Sequence, residues 1–279
     1  MTSAAIPRTT DSPSPRPDRA ARVLSVAVTV WYLIAVAGQW LFAAYIVALY
    51  GRAVVVGDTS AWTRVMPNGR VEGDGIGNAV LMSHVLLAVI IMIGGPLQLV
   101  PWLRSRFRAV HRWTGRAYMS AAITISAGGL YLVWVRGSDS RFIQHLGISL
   151  DGVLVLVFSV LAYRTARARH IAAHRRWALR LFVVSSGVWF FRVGVFLSLL
   201  LNGGPFGFDA KTFDGPFLQI MAFADYLVPL AILEGYFLAQ RRETGPMRAV
   251  MTALLGVTSI VTAAGIVAVF MIAWRPHLV

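Results

Sequence analysis

Residues 77–100 read GNAVLMSHVLLAVIIMIGGPLQLV and decide the fold class. This stretch contains no Asp, Glu, Lys or Arg, and as a helix it would extend about 36 Å, enough to cross the hydrocarbon core of a bilayer. An uncharged apolar stretch of this length is typical of a transmembrane helix. His84 lies well inside it, and a polar ring at that depth is costly unless it has a partner.

Six further apolar stretches of similar length predict the rest of the fold. We place seven spans, at 24–49, 77–100, 110–135, 142–163, 176–201, 217–239 and 248–274. The composition agrees, since 57% of the residues are hydrophobic and only 14% are charged. The sequence therefore predicts an all-α, polytopic membrane bundle over residues 23–275. A tail over residues 1–22, rich in Pro, Ser, Thr and Arg, is expected to be disordered.

Arginine accounts for the net charge of +14, because Lys211 is the lone lysine among 26 basic residues. The arginines concentrate in the tail and in the loops that follow spans 2, 4 and 6, whereas charges in the other loops balance. Cytoplasmic loops keep an excess of positive residues, so we expect a multi-pass cell-membrane protein with its N-terminus in the cytoplasm and its C-terminus outside. Because the basic patches are short and separate, we expect the lipid bilayer as a partner and no nucleic acid.

The sequence contains no cysteine, which narrows its chemistry. Disulfides, thiolate nucleophiles, iron–sulfur clusters and Cys-ligated zinc are excluded. Any metal would need His, Asp, Glu or Met as ligands. The sequence also lacks a phosphate-binding loop, a zinc-protease motif and a nucleophile elbow.

Four histidines fall at corresponding points of four consecutive spans: His84, His111, His145 and His174. Since alternate helices run in opposite directions, His84 and His145 are expected near the outer surface, and His111 and His174 near the inner one. His84 and His111 are 27 residues apart, and His145 and His174 are 29 apart. Similar sequence motifs, HRW and HRRW, begin at the two inner histidines, His111 and His174. These features predict a duplicated two-helix unit, formed by spans 2–3 and 4–5.

Two imidazoles from different helices are the axial ligands of a b-type haem, and its propionates seek cationic partners. Our first hypothesis is therefore a membrane b-type cytochrome with two b haems in a four-helix core over residues 77–201. Electrons would cross the bilayer from an unknown donor to an unknown acceptor. The candidate partners of the propionates are Arg112, Arg116, Arg175 and Arg180 on the inner side and Arg192 on the outer side.

Ionisable groups inside the spans support a second hypothesis. Asp151, Arg192 and Asp225 fall at similar depths in spans 4, 5 and 6. With His84 they would line the polar cavity of a haem-free transporter or structural subunit; in a plainer interpretation, an Arg–Asp pair neutralises itself. The His-Arg-Trp motifs are also typical of residues that lie at a membrane interface, and this interpretation requires no cofactor. A di-histidine metal site without porphyrin is a third hypothesis, and enzymatic activity and homo-oligomerisation stay open.

Residues 80–200 resemble a family of bacterial predicted membrane proteins, domain of unknown function 2306. The resemblance rests on GGPLQL at 94–99, HRWTGRAY at 111–118, and HRRW at 174–177 followed by Arg180. That family has no established activity, so it implies the membrane class alone. The order of the four histidines also resembles that of transmembrane di-haem cytochromes and ferric reductases, in which the first pairs with the third and the second with the fourth. This resemblance implies two b haems and an oxidoreductase that moves electrons across the bilayer.

Overall fold

The computed structural model describes residues 19–58, 70–137, 141–242 and 245–277, and in these ranges it is a bundle of helices. The helices are α1 (Arg19–Val56), α2 (Gly75–Leu99), α3 (Pro101–Arg106), α4 (Arg108–Val135), α5 (Phe142–Arg167), α6 (Ile171–Val184), α7 (Gly187–Asn202), α8 (Pro216–Arg242) and α9 (Gly245–Trp274). Helices α1 and α9 each contain one π-helical turn, at Val47–Gly51 and Phe270–Trp274. Six of the described helices are long and apolar enough to cross a membrane, and the α6–α7 pair makes a seventh span if counted as one.

The prediction of an all-helical, multi-pass membrane fold is confirmed. Most helix ends differ from the expected span ends by a few residues, and two of these differences have a clear physical reason. Residues 1–18 of the expected tail lie outside the described residues. Arg19–Arg22, which were expected to belong to the tail, form the first turn of α1, because the segment RAAR consists of strong helix formers. Helix α2 continues through Pro96 and ends at Leu99, since Val100 takes the extended conformation that a following proline favours.

The connections between helices lie at two ends of the bundle. The basic end holds α3 and the turn at 168–170, which follow the ends of α2 and α5. The other end, which we call the loop end, is tied together by contacts between separate connections. There Arg136 pairs with Asp74 at 3.2 Å, and the Gln144 amide donates to Asp214 at 3.0 Å.

The loop after α7 holds its own shape at the loop end. The backbone N–H groups of Thr212 and Lys211 donate to the Asp209 carboxylate at 2.8 and 2.7 Å. These bonds hold the pKa of Asp209 below its ordinary value, because they stabilise the ionised carboxylate.

Small residues set the closest helix contacts, as is common in membrane bundles. A Cβ atom at Gly147 on α5 would lie 2.6 Å from the carbonyl oxygen of Ala222 on α8. A Cβ atom at Gly265 on α9 would lie 2.8 Å from the carbonyl oxygen of Val193 on α7. The backbones touch at these points, so the helices cannot rotate or slide there without separating.

The fifth span is broken at Ser185 and Ser186, where α6 and α7 meet at 43°. Each serine hydroxyl donates to the carbonyl four residues earlier, at 2.6 Å for Ser185 and 2.8 Å for Ser186. Hydroxyls that bond in this way bend helices, and Ser/Gly pairs are frequent at kinks. The Gln39 amide of α1 also donates to the Ser186 hydroxyl at 2.9 Å, which fixes the break in the interior of the bundle.

Candidate functional site

Asp151 and Asp225 lie at the same depth on two helices that run in the same direction. Each stands nine residues after the start of its helix, α5 or α8, which is about 14 Å from the loop end. The contact between Gly147 and Ala222 lies one turn before both aspartates, so the closest approach of α5 and α8 brings them to one seam. The two carboxyl groups interact electrostatically.

Neither aspartate has a counter-ion in the part of the chain that the structure describes. Asp151 Oδ1 and Asp225 Oδ1 are buried, and neither has a hydrogen-bond partner among the described residues. Two ion pairs of the described ranges join other residues, Arg136 to Asp74 and Arg180 to Glu234. Two unpaired carboxyl groups at this depth are able to hold a proton between them or to bind a cation.

The break in the fifth span lies directly against this pair. A Cβ atom at Gly187 would lie 3.0 Å from Asp151 Oδ2 and 3.5 Å from Tyr226 Cβ. Tyr226 is fully buried, interacts electrostatically with both aspartates, and its hydroxyl lacks a hydrogen-bond partner within the described residues. We call Asp151, Asp225 and Tyr226 the carboxyl cluster.

Arg192 does not neutralise the cluster. Its guanidinium carbon lies 5.0 Å from the ring centroid of Phe42 on α1, and Nη1 donates to the Val188 carbonyl at 3.1 Å. Its electrostatic neighbours include Tyr50, Tyr45 and His84. The Arg–Asp pair of the plainer interpretation is therefore not formed among the described residues.

The structure places the two outer histidines at different levels of α4. The His84 ring lies against Gly129, where a Cβ atom would be 3.3 Å from its Cε1 atom. The His145 ring lies against Trp134, with ring centroids 6.0 Å apart, and against Gly137. Gly129 lies within α4, whereas Gly137 follows the end of this helix at Val135. The two rings therefore contact this part of the chain at different points.

The inner histidines, His111 and His174, lie within electrostatic range of each other. His174 Nδ1 lies 2.9 Å from the Ala162 carbonyl oxygen. The Gln98 amide lies 2.9 Å from His111 Nδ1, and the amide orientation that satisfies all neighbouring groups makes its nitrogen the donor. His111 then carries its proton on Nε2, whereas His174 leaves Nε2 without one.

Hydrogen bonds define which histidine nitrogens could bind a metal. A backbone carbonyl oxygen can only accept a hydrogen bond. His174 Nδ1 therefore donates to the Ala162 carbonyl. His84 Nδ1, 3.1 Å from the Ile125 carbonyl oxygen, donates to it in the same way. This arrangement leaves Nε2 available, as in many metal-binding histidines. Across the described ranges, however, no three His, Asp or Glu side chains form a metal-binding group.

A cavity of about 510 Å³ opens at the basic end, but it does not lie between the paired histidines. Its lining residues are His170, Ile171, Ala172, Ala173, Arg176, Trp177 and Arg180. For the predicted haems, His174 at the inner pair and His84 at the outer pair each offer an open Nε2, and both haems stay predictions.

The arginines predicted to hold propionates make other contacts. Arg180 pairs with Glu234 through bonds of 2.6 and 2.9 Å and lies 4.5 Å over the Trp177 ring. Arg116 lies 4.8 Å over the Trp113 ring. Arg112 and Arg175 are exposed.

Sequence reasoning did not single out Tyr226 or the partner of Glu234. Tyr226 directly follows Asp225, and its position next to an ionisable residue inside a span was the available signal. Glu234 and Arg180 are far apart in sequence and meet only because α6 packs against α8.

Residues 81–228 match the family model described as "Predicted membrane protein (DUF2306)". The matched region contains the carboxyl cluster, Arg192 and the four paired histidines. No curated protein and no solved structure matches the chain. The family description gives a membrane class and no activity, so a function has to be argued from the geometry.

Proposed function

Because the chain belongs to the DUF2306 family of predicted membrane proteins, whose description gives no activity, we propose a function from its buried charges: it is a proton-coupled membrane carrier. The observation that carries the proposal is the carboxyl cluster, in which Asp151 and Asp225 are buried near one another without a counter-ion among the described residues. In this proposal the pair binds and releases a proton.

The physical reason is the cost of charge in a membrane. An ionised carboxylate in the hydrocarbon core is unfavourable by several kcal/mol, by order of magnitude, and two adjacent carboxylates repel each other as well. A proton on the pair removes both penalties. Aspartates in this situation are frequent members of proton relays in pumps and transporters.

The break in the fifth span supports a carrier over a purely structural subunit. Helices α6 and α7 meet at the serines that directly precede Gly187, and Gly187 lies against Asp151. Discontinuous helices beside a buried ion site are a common element of secondary transporters, because a broken helix bends more readily than a continuous one. Movement at this break would change the access of Asp151 to either side.

For the orientation, we propose that the basic end faces the cytoplasm. The arginines of α3 and of the 168–170 turn lie at this end, and the positive-inside rule places such residues in the cytoplasm. The carboxyl cluster, about 14 Å from the loop end, would then be nearer the outer surface.

A pH-jump measurement on proteoliposomes adsorbed to a solid-supported membrane tests proton binding without a known substrate. A proton that enters a buried site moves charge through the membrane, so the wild type should give a transient current. The double variant Asp151→Asn/Asp225→Asn should lose it, while Asp209→Asn, a change in an exposed loop, should retain it. A current of equal size in the double variant would refute the proposal.

The histidines support a second candidate function, electron transfer by a b-type haem at the basic end. The specific observation is His174, whose Nδ1 donates to a backbone carbonyl and whose Nε2 is open, within electrostatic reach of His111. A bound haem would supply one-electron chemistry, and His174 would hold it. The dithionite-reduced absorption spectrum of the purified protein decides this: the α band of a low-spin b haem supports it, and its absence together with a negative pyridine haemochrome assay rejects it.

A further inference from the structure

Arg192 differs from two other half-buried arginines of the bundle, Arg136 and Arg180. Arg136 and Arg180 each have a carboxylate, that of Asp74 or of Glu234. Arg192 has no carboxylate within 4 Å in the described ranges, although it lies ten residues before the end of α7 at Asn202. That distance corresponds to about 15 Å from the loop end, deep enough for an unpaired charge to be costly.

The Arg192 side chain does not extend toward the loop end, which is the nearer end of the bundle. Helical side chains lean toward the N-terminus of their helix, and Nη1 bonds to the carbonyl of Val188, one turn earlier. The N-terminus of α7 lies at the break in the fifth span, in the interior of the bundle. The guanidinium is therefore directed away from the loop end and toward the level of the break.

Aromatic side chains surround this guanidinium on the α1 and α9 side. Trp274 stacks on Phe42 and Tyr45, with centroids 5.3 and 5.7 Å apart, and Tyr45 meets Tyr50 edge to face. These four rings are only 2–6% exposed. Arg192 itself is half-buried, so the residue keeps part of its surface accessible beside the closed aromatic walls.

Both π-helical turns of the described chain contribute to these walls. Tyr50 belongs to the turn at Val47–Gly51, and Trp274 belongs to the turn at Phe270–Trp274. Such turns are rare, and they occur frequently at functional sites because they re-aim side chains. Two of them in the walls beside one arginine without a carboxylate partner indicate a built site rather than an incidental charge.

We infer that Arg192 binds the carboxylate of a small organic anion, and that this anion is the substrate of the carrier. One guanidinium balances one negative charge, whereas a doubly charged phosphate would remain uncompensated at this depth. The walls formed by Phe42, Tyr45, Tyr50 and Trp274 favour an apolar body on the anion. The inference rests on the proposed function: a proton on the carboxyl cluster would accompany the anion held by Arg192.

Thermal unfolding of the full chain in detergent tests the anion site directly, with benzoate as the probe and neutral benzamide as its matched control. Benzoate should raise the wild-type melting temperature in a concentration-dependent manner, because a ligand that binds only the folded state stabilises it. Benzamide should give a much smaller rise. The benzoate effect should disappear in Arg192→Gln, persist in weakened form in Arg192→Lys, and remain unchanged in Arg52→Gln, which removes an exposed arginine of α1.

Equal responses of the wild type to benzoate and benzamide would overturn the inference, even if Arg192→Gln failed to fold. A benzoate effect that survived intact in Arg192→Gln would also overturn it. The test is separate from that of the carrier: if benzoate binds while the pH-jump current is absent, the anion site stands and proton coupling fails. If the current is present without benzoate binding, the proton site stands and the anion site fails.

Discussion

Asp151 and Arg192 are an acidic and a basic residue inside the same bundle, yet the fold keeps them apart. Asp151 lies toward α8 and the start of α7, whereas Arg192 turns toward the aromatic rings of α1. An ion pair between them would have left neither charge without a counter-ion. Their separation leaves a proton site and a cationic site in one bundle, which is the reason for assigning each a ligand.

A one-methyl substitution at Gly187 should perturb the proton site. In Gly187→Ala the new methyl group would lie 3.0 Å from Asp151 Oδ2 and would displace that carboxyl group by a few tenths of an ångström. We expect the pH-jump current to fall several-fold, with a stability cost of about 1 kcal/mol. Gly256→Ala on α9, where the methyl group would meet open space, is the control. Equal currents in the two variants would show that Gly187 has no part in the site.

The sequence predicted the ionisable residues within spans, because any charge in an apolar stretch is conspicuous. It did not predict their pairing. Asp225 approaches Asp151 only through the contact between Gly147 and Ala222, and helix rotation of this kind leaves no mark in hydropathy. The pairing of His84 with His145 was inferred from topology alone, and the structure places these rings at different levels of α4.

At the level of helices, the contact of α5 with α8 is the element that assembles the carboxyl cluster. Gly147→Ala should separate the two helices, because its methyl group would lie 2.6 Å from the Ala222 carbonyl oxygen. We expect a loss of about 1–3 kcal/mol of stability, seen as a lower melting temperature in detergent.

Gly152 on the same helix provides the matched control for this prediction. A Cβ atom there would lie 3.5 Å from the Leu130 side chain, an ordinary contact. Gly152→Ala should be neutral or slightly stabilising, since alanine is the better helix former by about 0.5–1 kcal/mol. Similar losses of stability in both variants would mean that the close contact at Gly147 matters no more for stability than the ordinary contact at Gly152.

The spans were predictable because about 20 consecutive apolar residues have few alternatives to a membrane helix. The bend in the fifth span was not predicted. The bend is caused by two serine hydroxyls, which bond to carbonyls of the preceding turn, together with the glycine that follows them. Small residues of this kind also occur in straight helices, so they did not predict a bend. The π-helical turns of α1 and α9 were missed for the same reason, since their residues fit an ordinary helix.

At the level of the whole molecule, the absence of cysteine makes the orientation simple to test. Ser105→Cys lies in α3 at the basic end, and Lys211→Cys lies in the loop end; both positions are exposed. On intact cells a membrane-impermeant maleimide should label only Lys211→Cys, and Ser105→Cys should react after permeabilisation. The reverse pattern would place the basic end outside, and the carboxyl cluster nearer the cytoplasm.

The central claim is that the carboxyl cluster holds a proton, and infrared spectroscopy of the purified protein measures this directly. Near neutral pH the wild type should show the C=O stretching band of a protonated carboxyl group. The band should weaken in Asp151→Asn or Asp225→Asn, vanish in the double variant, and persist in Asp209→Asn. A wild-type spectrum without this band, or a band that the double variant retains, would contradict the account.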